Sequence, residues 1–333
     1  MLFHPTHQQQ LGNLLSAARS LNSTLLDDLD RLVDWEQFRQ PLSSLYHEKG
    51  GRPAHDPVKM LKLVFVQRLY NLSDEEVVRQ LYDRRSFERF VGIDRLDSSS
   101  LTYYRKRLSG SGVMLDGLLD GINAQIVAHG YMVQSGSIVD ASLIPSRHRP
   151  GSTWQSGPHQ GEVIDPDSGS TVREHTTRAG DKRVTFHSGM KLHLRCSTDG
   201  IVQRVRVTTN TTHDTKLLQE LIESGPPCDV LYADRGYDSE ANRAVLFRKK
   251  IHDGIMRCQR KRKRSPRKRN KAIAPKRASV EHIFGVLKRT TTARLRYRGA
   301  PTNMVQVTMD GMIFNLKRFI KWKIGWQPSL YLR

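Results

Sequence analysis

The spacing of apolar residues divides the chain into a helical first part and a second part in which strands and helices alternate. PVKMLKLVFVQRLY, from Pro57 to Tyr70, is apolar on almost every side, and a proline is tolerated in the first turn of a helix. The next segment, SDEEVVRQLYD, opens with Ser73 and has Glu76 three residues later, a spacing typical of a capped helix start. With three further helical patterns downstream, we predict an all-helical domain over residues 1–130.

The short helices of this first part carry a basic cluster, Arg105, Lys106 and Arg107. Short helices ending in basic residues suit a helix-turn-helix-like module that binds DNA. A plain helical bundle with a basic surface explains the same pattern. We keep both interpretations and take the three cations as candidate DNA contacts.

Strand signals dominate the second part, residues 131–333. SGSIVDASLI predicts a strand that carries Asp140, and DVLYADRGYDS predicts a buried strand that ends at Asp234. Between them, VTFHSGMKLHLRCSTDGIVQRVRVTTN predicts a hairpin folded about the Asp-Gly pair at 199–200. The segment at about 145–185 is rich in Gly, Pro, Ser, His and charge, and we expect a flexible excursion there.

The predicted hairpin places two arginines opposite each other. Folding about the Asp-Gly turn pairs Arg195 with Arg204 and His193 with Arg206. Two like charges directly opposite each other are unfavourable in a sheet. Either the arginines splay into water, or an anion lies nearby. Lys191 and His193, on the first strand of the hairpin, are candidate DNA contacts.

The order of these elements predicts an α/β domain with a ribonuclease-H-like mixed sheet, preceded by the all-helical domain. In that fold three antiparallel strands are followed by a helix and a further strand, and the first and fourth strands lie side by side in parallel. Asp140 and Asp234, each expected at the carboxyl end of its strand, would then be neighbours. Ligand sites in α/β sheets favour those ends.

A third acid lies on the predicted helix KRASVEHIFGVLKRT. At about 100° per residue, Arg277, Glu281 and Lys288 fall within about 40° of one another, beside an apolar stripe. A surface pair of Arg and Glu four residues apart has the same spacing. Two aspartates and a glutamate also suit two Mg²⁺ ions, with Mn²⁺ as the alternative, which activate an attacking oxygen and neutralise a leaving one. Arg277 and Lys288 would hold phosphate oxygens, or keep Glu281 ionised by their proximity.

Charge points to a nucleic-acid partner. The 333 residues include 54 Lys and Arg against 33 Asp and Glu, a net charge of +21. No apolar run approaches the roughly 20 residues of a membrane span. The loop at 257–271 holds ten basic residues, and we expect it to contact phosphates through Arg260, Lys261, Arg262, Lys263 and Arg264. A solvated linker is the alternative. Three isolated cysteines fit a reducing cytoplasm.

Together these motifs resemble the bacterial insertion-sequence transposases of the Asp-Asp-Glu (DDE) class, in the family named for the fifth insertion sequence. VDASLI and ADRGYDS are similar to the regions around its two aspartates, and HSGMKLH to its intervening strand. RASVEHIFGVLKR fits a signature of Tyr, Arg, Glu and Lys through Arg277, Glu281 and Lys288, but Ala274 stands at the Tyr position.

The resemblance implies an enzyme that cuts at the ends of its own element and joins them to target DNA. Asp140, Asp234 and Glu281 would bind the metals. The partners would be double-stranded DNA, at the terminal inverted repeats and at the target, and a second copy of the chain in a homodimer. The expected place is the bacterial cytoplasm, at the nucleoid. A related nuclease or resolvase that cuts without joining, and a non-catalytic DNA-binding regulator, are the alternatives.

Overall fold

A computed structural model of the chain describes residues 24–46, 54–93, 96–131, 133, 135–151, 154–157, 160–177, 180–258, 267–290 and 292–324. The first part is helical, as predicted. Its helices are α1 (Leu25–Leu32), α2 (Arg39–Ser43), α3 (Pro57–Leu69), α4 (Asp74–Asp83), α5 (Arg85–Val91), α6 (Ser98–Ser109) and α7 (Gly112–Ala128).

Polar side chains begin several of these helices by accepting hydrogen bonds from free backbone N–H groups. Asp56, the residue before α3, accepts hydrogen bonds from two N–H groups in the first turn of the helix. Pro57 is the first residue of α3, where an N–H would have no partner within the helix, so its missing N–H costs no hydrogen bond. Ser73 accepts from the Glu76 N–H at 3.1 Å, as the sequence predicted. The Glu76 carboxylate does not return to Ser73; it pairs with Arg79 instead.

The second part contains strands β1 (Ser137–Ile144), β2 (Gln155–Ser156), β3 (Glu162–Ile164), β4 (Thr171–Thr176), β5 (Lys182–His187), β6 (Met190–Ser197), β7 (Val202–Thr209), β8 (Val230–Ala233) and β9 (His252–Ile255). Its helices are α8 (Leu218–Glu223), α9 (Glu240–Arg248), α10 (Arg267–Ile273), α11 (Ala278–Arg289) and α12 (Ala300–Ile324).

The main sheet has the strand order β7-β6-β1-β8-β9. Strands β1, β6 and β7 are antiparallel, whereas β8 runs parallel to β1 and β9 parallel to β8. This is the predicted ribonuclease-H-like arrangement, with the first and fourth strands of the sheet adjacent. The hairpin register is also as predicted, with Arg195 opposite Arg204 and His193 opposite Arg206.

The two opposed arginines are buried and do not splay into water, so that alternative was wrong; the anion that lies nearby is the carboxylate of Asp120. Arg195 is fully buried, and its guanidinium donates to the carbonyls of Leu221 and Ile222 at the end of α8. A helix carboxyl end carries partial negative charge and unpaired carbonyls, which suit a cation. Arg204 donates through Nε to the Ser224 carbonyl just after α8, at 2.6 Å, and forms a bidentate pair with Asp120 of α7, at 2.6 Å to each oxygen.

The segment predicted as a flexible excursion contains a second, antiparallel sheet with the order β2-β3-β4-β5. Its longest pairing joins β4 to β5 from Thr171–His187 to Thr176–Lys182. The many polar residues of this region concealed its alternation from sequence analysis.

Helix α12 joins the two parts of the chain. It packs against β7 on one side and against α3, α6 and α7 on the other. A single apolar core therefore runs from the first helices through α12 to the main sheet. At its centre Arg68 of α3 forms a bidentate ion pair with Asp310 of α12, at 2.9 Å for both bonds. The boundary predicted near residue 130 separates elements that share this core.

None of the helices in the described ranges has the length and apolar character that crossing a bilayer requires.

Candidate functional site

The two aspartates are neighbours on adjacent parallel strands. The pairing of β1 with β8 ends with Val139 opposite Ala233, and the next residues are Asp140 and Asp234. We call this end of the β1–β8 pair the acidic edge. The sequence placed Asp140 at the end of its strand, which was wrong, because β1 continues to Ile144 along its other neighbour, β6. Asp140 stands at the end of the parallel pairing only.

Asp234 also begins the short 3₁₀ helix Arg235–Tyr237. Its Oδ1 accepts a hydrogen bond from the Gly236 N–H at 2.7 Å. An aspartate after a strand commonly has such a local role. In this chain the same carboxylate lies beside Asp140, so the capping role and a ligand role are compatible.

The Asp140 carboxylate is partly buried and bound from two sides. Its Oδ2 accepts from Arg277 Nη2 at 2.8 Å, and its Oδ1 accepts from the Ala141 N–H at 2.9 Å. Burial raises the pKa of Asp140 above its ordinary value, and the charge of Asp234 raises it further, while Arg277 opposes both. Two carboxylates and one guanidinium therefore share a confined space.

Helix α11 lies along the acidic edge, and two of the predicted residues, Arg277 and Lys288, contact β1. Its apolar side is buried through Val280, Ile283, Phe284 and Leu287. Arg277, just before the helix, binds Asp140, and near its end Lys288 Nζ donates to Ser142 Oγ at 2.6 Å. Asp140 and Ser142 are two residues apart in β1, so their side chains lie on the same face of the strand. The two hydrogen bonds therefore hold α11 against that face. Ser142 was not among the predicted residues.

Glu281 lies between these two anchoring residues on the same side of α11, and its side chain is exposed. Across the described residues, no set of three or more His, Cys, Asp or Glu side chains lies close enough together to hold a metal ion. The structure therefore brings Asp140 and Asp234 together and places Glu281 on the facing helix, apart from them. Ala274, at the Tyr position of the signature, begins the 3₁₀ helix Ala274–Arg277.

On the opposite face of the sheet, His193 is fully buried and its Nε2 lies 2.9 Å from Thr208 Oγ1. Burial lowers the pKa of His193 to about 4, so the ring is neutral at pH 7. A buried neutral ring offers nothing to a DNA phosphate, and its predicted role as a DNA contact was wrong. Lys191, on the same strand, is partly exposed and lies 2.9 Å from Asp214 Oδ1. Sequence reasoning missed Asp214, although it lies shortly after β7 in the motif THDTK.

The predicted cations of α6 divide into one buried residue and two exposed ones. Arg105 is buried and pairs with Asp74, and its guanidinium lies 4.5 Å from the Tyr297 ring centroid. It holds α6 to α4 and to the segment before α12, so its predicted contact with DNA was wrong. Lys106 and Arg107 are exposed. Arg260, Lys261, Arg262, Lys263 and Arg264 lie outside the described residues.

Two family models match the chain. One, described as Transposase domain (DUF772), covers residues 14–107, and the other, described as Transposase DDE domain, covers residues 132–316. The transposase for insertion sequence element IS1106 of Neisseria meningitidis serogroup B is 32% identical over 226 residues, which cover 64% of this chain and 75% of that protein.

Two solved structures show weaker likeness. The Mos1 strand transfer complex is 10% identical, with a TM-score of 0.28 over 87% of this chain and 84% of that one. The Mos1 mariner paired end complex with Mn is 10% identical, with a TM-score of 0.22 over 93% and 91%.

Proposed function

The chain belongs to the DDE transposases of bacterial insertion sequences, and we propose that it cuts DNA at the ends of its own element and joins those ends to target DNA. One observation supports this mechanism most strongly: Asp140 and Asp234 are adjacent at the acidic edge, and α11 is bound across it by Arg277 and Lys288. Hydrolysis at the element ends would free a 3′ hydroxyl, and transesterification would then join that hydroxyl to a target phosphate.

Asp140, Asp234 and Glu281 are the proposed metal ligands. Two partly buried carboxylates side by side repel each other, and a divalent cation between them relieves that repulsion. Carboxylate oxygens are also the protein ligands that Mg²⁺ prefers. A bound pair of Mg²⁺ ions, or Mn²⁺ in their place, would activate the attacking oxygen and neutralise the leaving one. The donor set therefore fits the metal chemistry of the family.

Arg277 has two alternative partners in this proposal. Its Nη2 now binds Asp140 Oδ2, an oxygen that a metal ion would also use. A guanidinium binds phosphate as well as carboxylate. With a cation on Asp140, Arg277 would turn to a phosphate oxygen near the scissile bond. Lys288, now on Ser142, would hold a second phosphate oxygen.

The proposed partners are duplex DNA at the terminal inverted repeats and at the target, and a second copy of the chain, since two ends must be held together. In the first part the exposed Lys106 and Arg107 are the candidates for DNA contact, and in the second part the partly exposed Lys191 joins Arg277 and Lys288. The basic segment at 257–271 would add phosphate contacts. The proposed place of action is the nucleoid of the bacterial cytoplasm.

A joining assay tests this function. The substrate is a labelled duplex that carries one element end with its flanking DNA, incubated with a supercoiled target plasmid and Mg²⁺. We expect cleavage at the end of the element, followed by label that moves to the plasmid. Cleavage without label on the plasmid would identify a nuclease or resolvase, and specific binding without cleavage would identify a regulator.

A further inference from the structure

A polar cleft opens between the small sheet and the end of the main sheet. Its volume is about 460 Å³, and it reaches from β4 and β5 to β6 and the loop 210–213 that follows β7. We call it the histidine cleft. The titratable groups of its lining are Glu162, Arg173, His175, His187, Lys191 and His213.

The small sheet presents its polar side to the rest of the molecule. Residues 171, 173 and 175 of β4 share a face with 185 and 187 of β5, and this face lines the histidine cleft. The opposite face carries Val163, Val184 and Phe186, which are 38%, 64% and 53% exposed. An antiparallel sheet ordinarily turns its apolar face inward and its polar face to water. Packing alone does not account for this reversed arrangement, whereas a polar ligand in the cleft does.

The chemistry of the lining suits a phosphate-bearing ligand. Arg173 and Lys191 are cations, and Thr171, Thr185 and Asn210 add neutral hydrogen-bonding groups. Arginine binds phosphate through two parallel N–H groups, and lysine binds it as a point charge. Glu162 is the acid of the lining and is largely buried, directly opposite Arg173 in the sheet register.

The histidine cleft adjoins the acidic edge. Lys191 is opposite Leu143 of β1, three residues beyond Asp140, and therefore lies on the other face of the main sheet from Asp140. Lys191 also pairs with Asp214, and the turn Asp214–Lys216 packs against the 3₁₀ helix that Asp234 begins. A DNA strand with its scissile phosphate at the acidic edge would reach the cleft by passing around this end of the sheet, over the turn Asp214–Lys216.

We propose that the histidine cleft binds unpaired nucleotides of the strand that leaves the acidic edge, with their phosphates on Arg173 and Lys191. This inference rests on the proposed function. A volume of 460 Å³ corresponds to a cube about 8 Å on edge, which is too narrow for a double helix, because the major groove of a duplex alone is roughly 12 Å wide. The cleft is of the size that holds small ligands, so it suits one strand with its bases exposed and not a double helix.

The test uses two hairpin duplexes that differ only in a single-stranded tail of five thymidines. Their affinities for the full-length protein are measured by fluorescence anisotropy in a metal-free buffer, where no cleavage occurs. We expect the wild type to bind the tailed hairpin about tenfold more tightly than the blunt one. Arg173→Ala should lose that preference and bind the blunt hairpin as the wild type does, and Arg173→Lys should restore part of it.

Lys182→Ala is the matched control, because it removes one exposed cation from the outward face of the same sheet. It should keep the preference for the tail. Thermal melting shows whether Arg173→Ala folds. If it does not, His187→Ala, a second variant in the cleft, takes its place in the test.

Three results would overturn the proposal: a wild type without preference for the tail, a preference that survives in folded Arg173→Ala or His187→Ala, or an equal loss of affinity for both hairpins. None of these results depends on cleavage. The proposal for the histidine cleft and the proposed function can therefore be refuted independently of each other.

Discussion

Replacing Asp310 by asparagine tests whether the first helices and the main sheet depend on one core. Asp310 and Arg68 are 0% and 1% exposed and form two hydrogen bonds of 2.9 Å, and Thr292 Oγ1 donates a third to Asp310 at 2.7 Å. Asp310→Asn keeps the shape but leaves the Arg68 guanidinium buried without its counter-charge. Breaking a buried pair in this way costs about 3–5 kcal/mol of unfolding free energy.

The assay is urea unfolding followed by circular dichroism. The double variant Arg68→Met/Asp310→Leu removes both charges and should recover most of the lost stability, because apolar pairs often replace buried ion pairs without loss. Arg89→Met is the matched surface control. It breaks the Arg89–Asp27 pair, whose side chains are 61% and 28% exposed, and should cost no more than about 1 kcal/mol. A loss below about 1 kcal/mol in Asp310→Asn would refute the reasoning.

Three further predictions concern single features. Lys288→Ala should lower end cleavage with an unchanged melting temperature, since Lys288 is exposed and bonds only Ser142 among the described residues; cleavage at the wild-type rate would make it a plain surface residue. The pKa of His193 falls from 6.5 to about 4 on folding. As the pH is lowered, the unfolded chain is protonated at His193 before the folded chain is, so the free energy of unfolding decreases below about pH 6.5. Between pH 7 and pH 5 urea unfolding should show a loss of about 2 kcal/mol that is absent in His193→Gln. Serine at residues 260–264 should flatten the dependence of log affinity on log salt by up to roughly four units, and an unchanged slope would mean that the segment does not touch DNA.

The main sheet could be predicted because each of its determinants is local. The Asp-Gly pair fixes the hairpin and its register, and short apolar runs bounded by turns mark β1 and β8. The angular spacing on α11 gave the side that carries Arg277, Glu281 and Lys288, and the contacts with Asp140 and Ser142 lie on that side. Helix periodicity is thus sufficient to define a face, although not the distance from that face to the sheet.

The sequence did not predict which cationic side chains are buried. The sequence predicted exposed positions for three arginines that the structure buries: Arg105, Arg195 and Arg204. Each of them binds a partner that is distant in the sequence. Their partners are Asp74, the carbonyls at the end of α8, and Asp120. Such pairs depend on tertiary packing, which residue spacing does not encode. The small sheet was missed for a related reason, because its inward face is polar.

We propose that Asp234 acts through its charge at the acidic edge and not only as a helix cap. Asp234→Asn tests this directly, because the amide oxygen can still accept from the Gly236 N–H and preserve the turn. The measurement is cleavage of an element end in Mg²⁺, beside affinity for the same DNA without metal. We predict that cleavage is lost while affinity and melting temperature stay at wild-type values. Substantial cleavage by a folded Asp234→Asn protein would contradict the assignment of Asp234 as a metal ligand.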